Sequence, residues 1–134
     1  MFRFIKKKII KSSNYSDVLH WKNHDQIINN KKREIVNKIH KIFSGKVFAG
    51  PYKDLKLTTK ENWWIDLGSK VLGIYELEVQ QAIENLCSKK NIKIFINYGA
   101  AEGYHLTGVL KKKLAIRGIG IEIDKNTITI LKKN

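Results

Sequence analysis

Between Ile92 and Asp124 the chain changes periodicity twice, and this switch constrains the fold more than any other feature. Ile92-Lys93-Ile94-Phe95-Ile96 is a nearly continuous β-branched run, the pattern of a strand buried on both faces. Gly99-Ala100-Ala101-Glu102-Gly103 follows, and then Leu106, Val109, Leu110 and Leu114 recur at helical spacing. Lys111-Lys112-Lys113 supply cations suited to a helix C-terminus. Ile116 to Ile123 is a second apolar run, stopping at Glu122 and Asp124. Strand, glycine turn, helix and strand in about 30 residues make a β-α-β unit, so the two strands are expected to lie parallel. The expected class is α/β.

The upstream segments read differently. Residues 1–45 form a basic, mainly helical region. After a polar break at Ser12 to Asp17, where Ser16 or Asp17 is placed to cap a helix, apolar residues fall at Ile28, Ile35, Ile39 and Ile42. Ile27, Val36 and Phe43 flank that stripe, and Ser44-Gly45 ends it. Residues 46–91 form a lead-in. Val47 to Leu57 predicts a short strand, a Gly50-Pro51 turn and a second strand. Trp63-Trp64 reads as core or as a cover for a crevice, and Gly68-Ser69 as a break. Tyr75, Val79, Ile83, Leu86 and Cys87 then predict a helix to about Ser88. Residues 92–134 hold the β-α-β unit, with Lys125 to Lys132 either one more helix or, through Thr127-Ile128-Thr129-Ile130, extended.

Charge narrows the partners. The net charge is +14, and residues 1–60 hold 15 Lys and Arg against 4 Asp and Glu. Residues 61–134 hold 11 against 8, so the excess belongs to the front of the chain. Such a front attracts nucleic acid, anionic lipid or an acidic substrate. Lys outnumbers Arg 23 to 3, however, and no Arg cluster or aromatic array accompanies it, which reads as a Lys-coated surface. The single cysteine, Cys87, rules out an internal disulfide and fits a reducing compartment. No apolar run approaches the ~20 residues of a membrane span. A soluble, cytoplasmic protein without a membrane span is the expectation.

In an open α/β sheet, ligands bind at the C-terminal ends of the strands. The residues expected there are Asn97, Tyr98, Gly99, Ala100, Ala101, Glu102 and Gly103 of the turn, with Glu122 at the second strand tip. Gly99 and Gly103 permit tight turning and remove Cβ atoms from a ligand's path. Free N–H groups near Gly103 suit a carboxylate. Glu122, 23 positions after Gly99, stands where an acid receives ribose hydroxyls. The dinucleotide pattern G-x-G-x-x-G is absent, and Glu102 sets a negative charge where a pyrophosphate would sit. No G-x-x-x-x-G-K-[ST] phosphate loop occurs. A cationic, phosphate-free cofactor meets no such objection.

Phe95-Ile-Asn-Tyr-Gly-Ala-Ala-Glu-Gly-Tyr-His105 resembles the first motif of class I S-adenosylmethionine (SAM)-dependent methyltransferases, and Ile119-Gly-Ile-Glu-Ile-Asp124 is similar to their second strand with its ribose-binding acid. Gly50-Pro-Tyr-Lys53 and Lys70-Val-Leu-Gly-Ile-Tyr-Glu76 resemble a lead-in of some small members. The resemblance covers about Gly50 to Lys133. It implies a Rossmann-like sheet, of which this chain holds an incomplete parallel part, and SAM as cofactor, with the turn at the methionine end and Glu122 at the ribose. It also implies that acceptor-binding and catalytic residues come from later strands. The expectation is a truncated or split methyltransferase holding the cofactor half-site, with an unknown methyl acceptor and little activity alone. Oligomerisation, a partner chain or strands from the front half are other ways to complete the sheet. The alternative is a non-enzymatic basic module binding RNA or another polyanion through residues 1–60.

Other side chains carry weaker signals. His20 and His24, spaced i, i+4 beside Asp25, lack further ligands for a metal, and none is expected. His40 reads as a boundary residue and Cys87 as a buried structural thiol. His105 follows the glycine turn and faces the crevice, as a base or, by preference, in packing or ligand contact. Tyr75 and Glu76 reach the cofactor if the lead-in resemblance holds; otherwise they are a core residue and a helix N-terminal charge.

Overall fold

A computed structural model of the chain describes residues 15–57 and 64–133. The chain divides into two compact units, Met1–Glu34 and Ile35–Asn134. Helix α1 (Tyr15–Ile42) starts in the first, where residues 23–34 are all exposed. Ser16 and Asp17 lie inside α1 and not at its cap, because the helix already begins at Tyr15. Residues 12–14 of the polar break, and Trp63, fall outside the described residues.

In the second unit the buried face of α1 differs from the one its isoleucines suggest. Val36 is buried, with Ile39 and Phe43 packed beside it, whereas Ile35 and Ile42 are exposed, as is Ile28 in the first unit. The face is set by helix α2 (Trp64–Leu72). A Cβ on Gly68 would stand 3.2 Å from Val36 Cγ2. Gly68 therefore seats one helix on another and breaks nothing, and Ser69 bonds back to the Asp66 carbonyl at 2.8 Å. α2 ends beyond Leu72, at Gly73.

Between α1 and α2 the expected strand-turn-strand is reduced to one antiparallel bridge, Lys46 to Lys56. Val47 N–H donates to the Leu55 carbonyl and Asp54 N–H to that of Val47, closing a tight loop that drives Tyr52 fully into the interior. Helix α3 (Leu77–Ser88) has the expected extent, but Val79 and Leu86 are exposed while Gln80 is completely buried. Its inner face is Gln80, Ile83 and Cys87, one turn apart each.

Strands β1 (Ile94–Tyr98) and β2 (Arg117–Ile121) pair in parallel, Ile94 opposite Arg117 through Tyr98 opposite Ile121. Helix α4 (Tyr104–Lys111) crosses between them in sequence, and helix α5 (Lys125–Leu131) follows. Asp124 caps α5 by accepting the Asn126 and Thr127 N–H groups at 2.7 and 3.1 Å, which decides the Thr127–Ile130 segment for helix. Among the described residues the architecture is α/β, with five helices and a two-stranded parallel sheet.

Among the described residues the sheet is covered on one face only. Gly118 and Gly120 point at α4 so closely that Cβ atoms would meet Leu106 at 2.6 and 2.9 Å. On the other face Ile94, Ile96, Tyr98, Ile119 and Ile121 are exposed. The expectation of strands buried on both faces fails, since no described element packs there. Elsewhere Val47, Tyr52, Leu55, Leu57, Leu67 and Val71 share one core with Tyr104, Val109 and Ala115. That shared core joins the lead-in to the β-α-β unit. No helix among the described residues is long and apolar enough to cross a membrane.

Candidate functional site

A cleft of about 330 Å³ opens where β1 gives way to the glycine turn. Asn97, Tyr98, Gly99, Ala100, Ala101 and Glu102 line one wall; Lys70, Tyr75, Glu76 and His105 line the other. The two lead-in residues singled out in the sequence thus share a cleft with the turn. Gly103 and Glu122 are not in the lining.

The turn is held by its own backbone. Ala100 N–H donates to the Ile121 carbonyl at 3.0 Å and Gly103 N–H to that of Ala100 at 2.8 Å. The two glycines do different work. Gly99 has φ +65, and a Cβ there would meet nothing within 4 Å, so its side of the backbone is open to an approaching molecule. Gly103 has φ +88, and a Cβ would fall 2.1 Å from Leu131 Cδ1. Gly103 therefore makes room for α5, and its N–H is used by the Ala100 carbonyl. Ala101 is left-handed without being glycine, at φ 47, a conformation that costs about 1–3 kcal/mol and collects at functional sites.

Glu122 points at the turn. Its Oε2 accepts the Ala101 N–H at 2.9 Å, while Oε1 accepts those of Ile123 at 2.7 Å and Asp124 at 2.9 Å. The Asp124 N–H, then those of Ala101 and Ile123, hold this carboxyl below the usual carboxylate range. The acid at the β2 tip and the bend after β1 are one connected structure.

Glu102 departs from expectation. Its side chain is 3% exposed and forms an ion pair with Lys70 Nζ at 2.5 Å. The ammonium lies 4.4 Å from the centre of the Tyr75 ring. The negative charge invoked against a pyrophosphate is therefore matched inside the protein, and that part of the argument against phosphates falls. What remains is the Gly99-x-x-x-Gly103 spacing. The lead-in resemblance includes Lys70 without giving it a role, although a lysine within the Leu67–Val71 stripe of α2 is the mark of a buried charge needing a partner.

Behind the second wall the aromatic rings interlock. Tyr52, Tyr75 and Tyr104 meet edge to face at centroid distances of 5.4 and 5.7 Å. Gln80 donates from Nε2 to the Tyr75 carbonyl at 2.5 Å and to the Tyr104 hydroxyl at 3.3 Å, which explains its burial. The Tyr104 hydroxyl donates to the Lys70 carbonyl at 3.3 Å. Burial pushes the Tyr75 and Tyr104 phenols up to about 12, and Tyr52 upward as well. His105 bridges Tyr52 and Glu76: Nδ1 is 3.2 Å from the Tyr52 hydroxyl and Nε2 is 2.8 Å from Glu76 Oε2. That hydrogen bond is the main reason the Glu76 carboxyl lies below its ordinary value.

The remaining candidates are elsewhere. His40 Nε2 faces the Leu57 carbonyl at 3.4 Å, and Cys87 is a half-buried free thiol. Among the described residues no group of His, Cys, Asp and Glu is arranged to hold a metal ion. No protein-family model, curated protein or solved structure matches the chain.

Proposed function

We propose that the cleft is the cofactor half-site of a Rossmann-like, SAM-dependent methyltransferase type, taking SAM along the Gly99 turn with its ribose toward Glu122. The observation that carries this reading is the Glu122–Ala101 hydrogen bond, which makes strand tip and bend a single cradle at the C-terminal ends of two parallel strands. The residues present suit such a group. Gly99 leaves the backbone approachable, and Glu122 retains acceptor capacity beyond its three N–H donors, since a carboxylate offers about four lone-pair sites. Glu76 adds an anionic group to the same cleft, favourable for a sulfonium. Among the described residues none is assigned to a methyl acceptor, so the reading stops at cofactor binding. SAM supplies an electrophilic methyl group; the chain's contribution is to orient the nucleoside and hold its polar edges.

Calorimetry on the intact chain with SAM, S-adenosylhomocysteine, NAD and ATP tests the reading. Binding of the first two, weakened in Glu122→Ala and absent for the others, supports it. A folded protein that binds NAD or ATP in preference, or none of the four, overturns it.

A second reading rests on the part of α1 in the first unit, where Lys31, Lys32 and Arg33 are all exposed. Such a surface suits RNA or another polyanion. Oligonucleotide binding that falls steeply with salt, with no response to S-adenosylhomocysteine, would favour it.

A further inference from the structure

Glu76 occupies a costly position. It precedes α3 at φ 45, ψ 47, left-handed without being glycine, and no side-chain cap bond accompanies it. Strain of that kind persists only where the surroundings enforce it. Here they do. Tyr52 is completely buried, His105 has a side chain 14% exposed, and Glu76 is 47% exposed at the cleft. The chain of contacts runs outward from core to solvent and ends on a carboxylate. With the Tyr52 hydroxyl donating to Nδ1, the His105 proton sits on Nε2 and is given to Glu76 Oε2. Both ring nitrogens are engaged, which fixes the ring's orientation against Glu76. One of the carboxylate's lone-pair sites is used in this bond; Tyr75 offers a further hydroxyl contact, and the rest stay available.

The local charge balance gives the partner's sign. In the cleft, Lys70 and Glu102 form an ion pair, so Glu76 tips the lining negative in a chain whose net charge is +14. A left-handed backbone alone would not set Glu76 apart, since the exposed Asp54 also has φ 70; the histidine at its carboxylate, backed by a buried tyrosine, does.

We propose that Glu76 is the residue that anchors the primary ammonium of the bound ligand, with His105 and Tyr52 as positioning residues; for the SAM-type ligand this is the α-ammonium of its amino-acid end. The assignment rests on the cofactor reading above and deepens it. An ammonium is preferred to the sulfonium as the direct partner because it presents N–H donors, whereas a sulfonium offers charge without a hydrogen bond. The turn and Glu76 line the same cleft, while Glu122 lies on the β2 side of the turn, so the amino-acid end and the ribose have separate carboxylates.

Two probes separate the contributions: S-adenosylhomocysteine, which carries the ammonium, and 5′-methylthioadenosine, which lacks the amino-acid end. Affinities are measured by calorimetry for wild type, Glu76→Gln, His105→Gln and His105→Leu, each checked for cooperative unfolding. Wild type should prefer S-adenosylhomocysteine, and Glu76→Gln should lose about tenfold to a hundredfold of that affinity, in the range of one charge-assisted hydrogen bond. Its affinity for 5′-methylthioadenosine should not change. His105→Leu should lower the ratio of the two affinities, and His105→Gln, which keeps a donor, should restore part of it. Equal losses for both probes in Glu76→Gln, or none, would overturn the role of Glu76 while leaving the nucleoside reading standing. Failure of folded wild type to bind either probe would overturn both.

Discussion

The Tyr52 ring lies against Gly108 so closely that a Cβ at that glycine would stand 2.6 Å from the ring carbons Cγ and Cδ2. Gly108 is inside α4, where glycine ordinarily weakens a helix by about 1 kcal/mol relative to alanine. The ring decides the sign. Gly108→Ala is expected to destabilise by about 1–3 kcal/mol, the usual range for overpacking, despite the better helix former. Urea unfolding checks it; a more stable variant would show that the ring can retreat freely.

Breaking the Lys70–Glu102 pair should be among the most damaging single changes. Both side chains are almost wholly buried. Lys70→Met leaves a carboxylate without its cation and is expected to cost about 3–5 kcal/mol, whereas Lys70→Met with Glu102→Gln should recover much of the loss. Denaturant midpoints of the two variants give the comparison.

The core and the uncovered face of the sheet predict unequal sensitivity. Leu55 is in the core and 4% exposed, so Leu55→Ala should cost about 2–5 kcal/mol. Ile119 is on the uncovered face at 47%, and Ile119→Thr should stay within about 0.5 kcal/mol. A large effect at Ile119 in monomeric protein would mean that face is packed in solution.

Acid should weaken the contact behind Glu76. Its carboxyl is lowered by the His105 hydrogen bond first, so the folded state prefers the ionised form. The contribution is present above the ordinary value of 4.5 and is lost as pH falls through the lower folded value. The stability difference between wild type and Glu76→Gln should therefore be greatest near neutrality and shrink below pH 4.5. An unchanging difference down the acid range would contradict the bond.

Alkali acts through the tyrosines in the opposite sense. Tyr75 and Tyr104 are raised by burial from 10.0 to about 12, so folding favours their neutral form. Stability is fully present below 10.0 and falls as pH rises from there toward about 12. The share of phenolate absorbance that Tyr75→Phe and Tyr104→Phe remove should appear together with unfolding, and that share forming in folded protein at pH 10.0 would refute the burial.

Legibility in the sequence followed the range of the interaction. Strand, bend and strand between Ile94 and Ile121 were readable because alternating periodicities and glycine spacing are local, and the Glu122 position follows from them. The faces of α1 and α3 were not. Periodicity identifies a helix, but the neighbour chooses which stripe is buried: Gly68 took Val36 and Ile39, and Tyr104 took Gln80. Gly68-Ser69 read as a break because composition does not reveal a close helix contact. Lys70 and Glu102 are 32 positions apart, and Tyr52 and His105 are 53 apart. Such pairs are created by tertiary packing alone.

The crossed tyrosines give the cleft an optical signature of its own. Rings fixed at 71° and 88° to one another sit in a chiral, immobile setting and should contribute to the near-ultraviolet circular dichroism. A molecule entering beside Tyr75 would change that spectrum without any label, which makes the fold its own sensor in a search for what the cleft accepts.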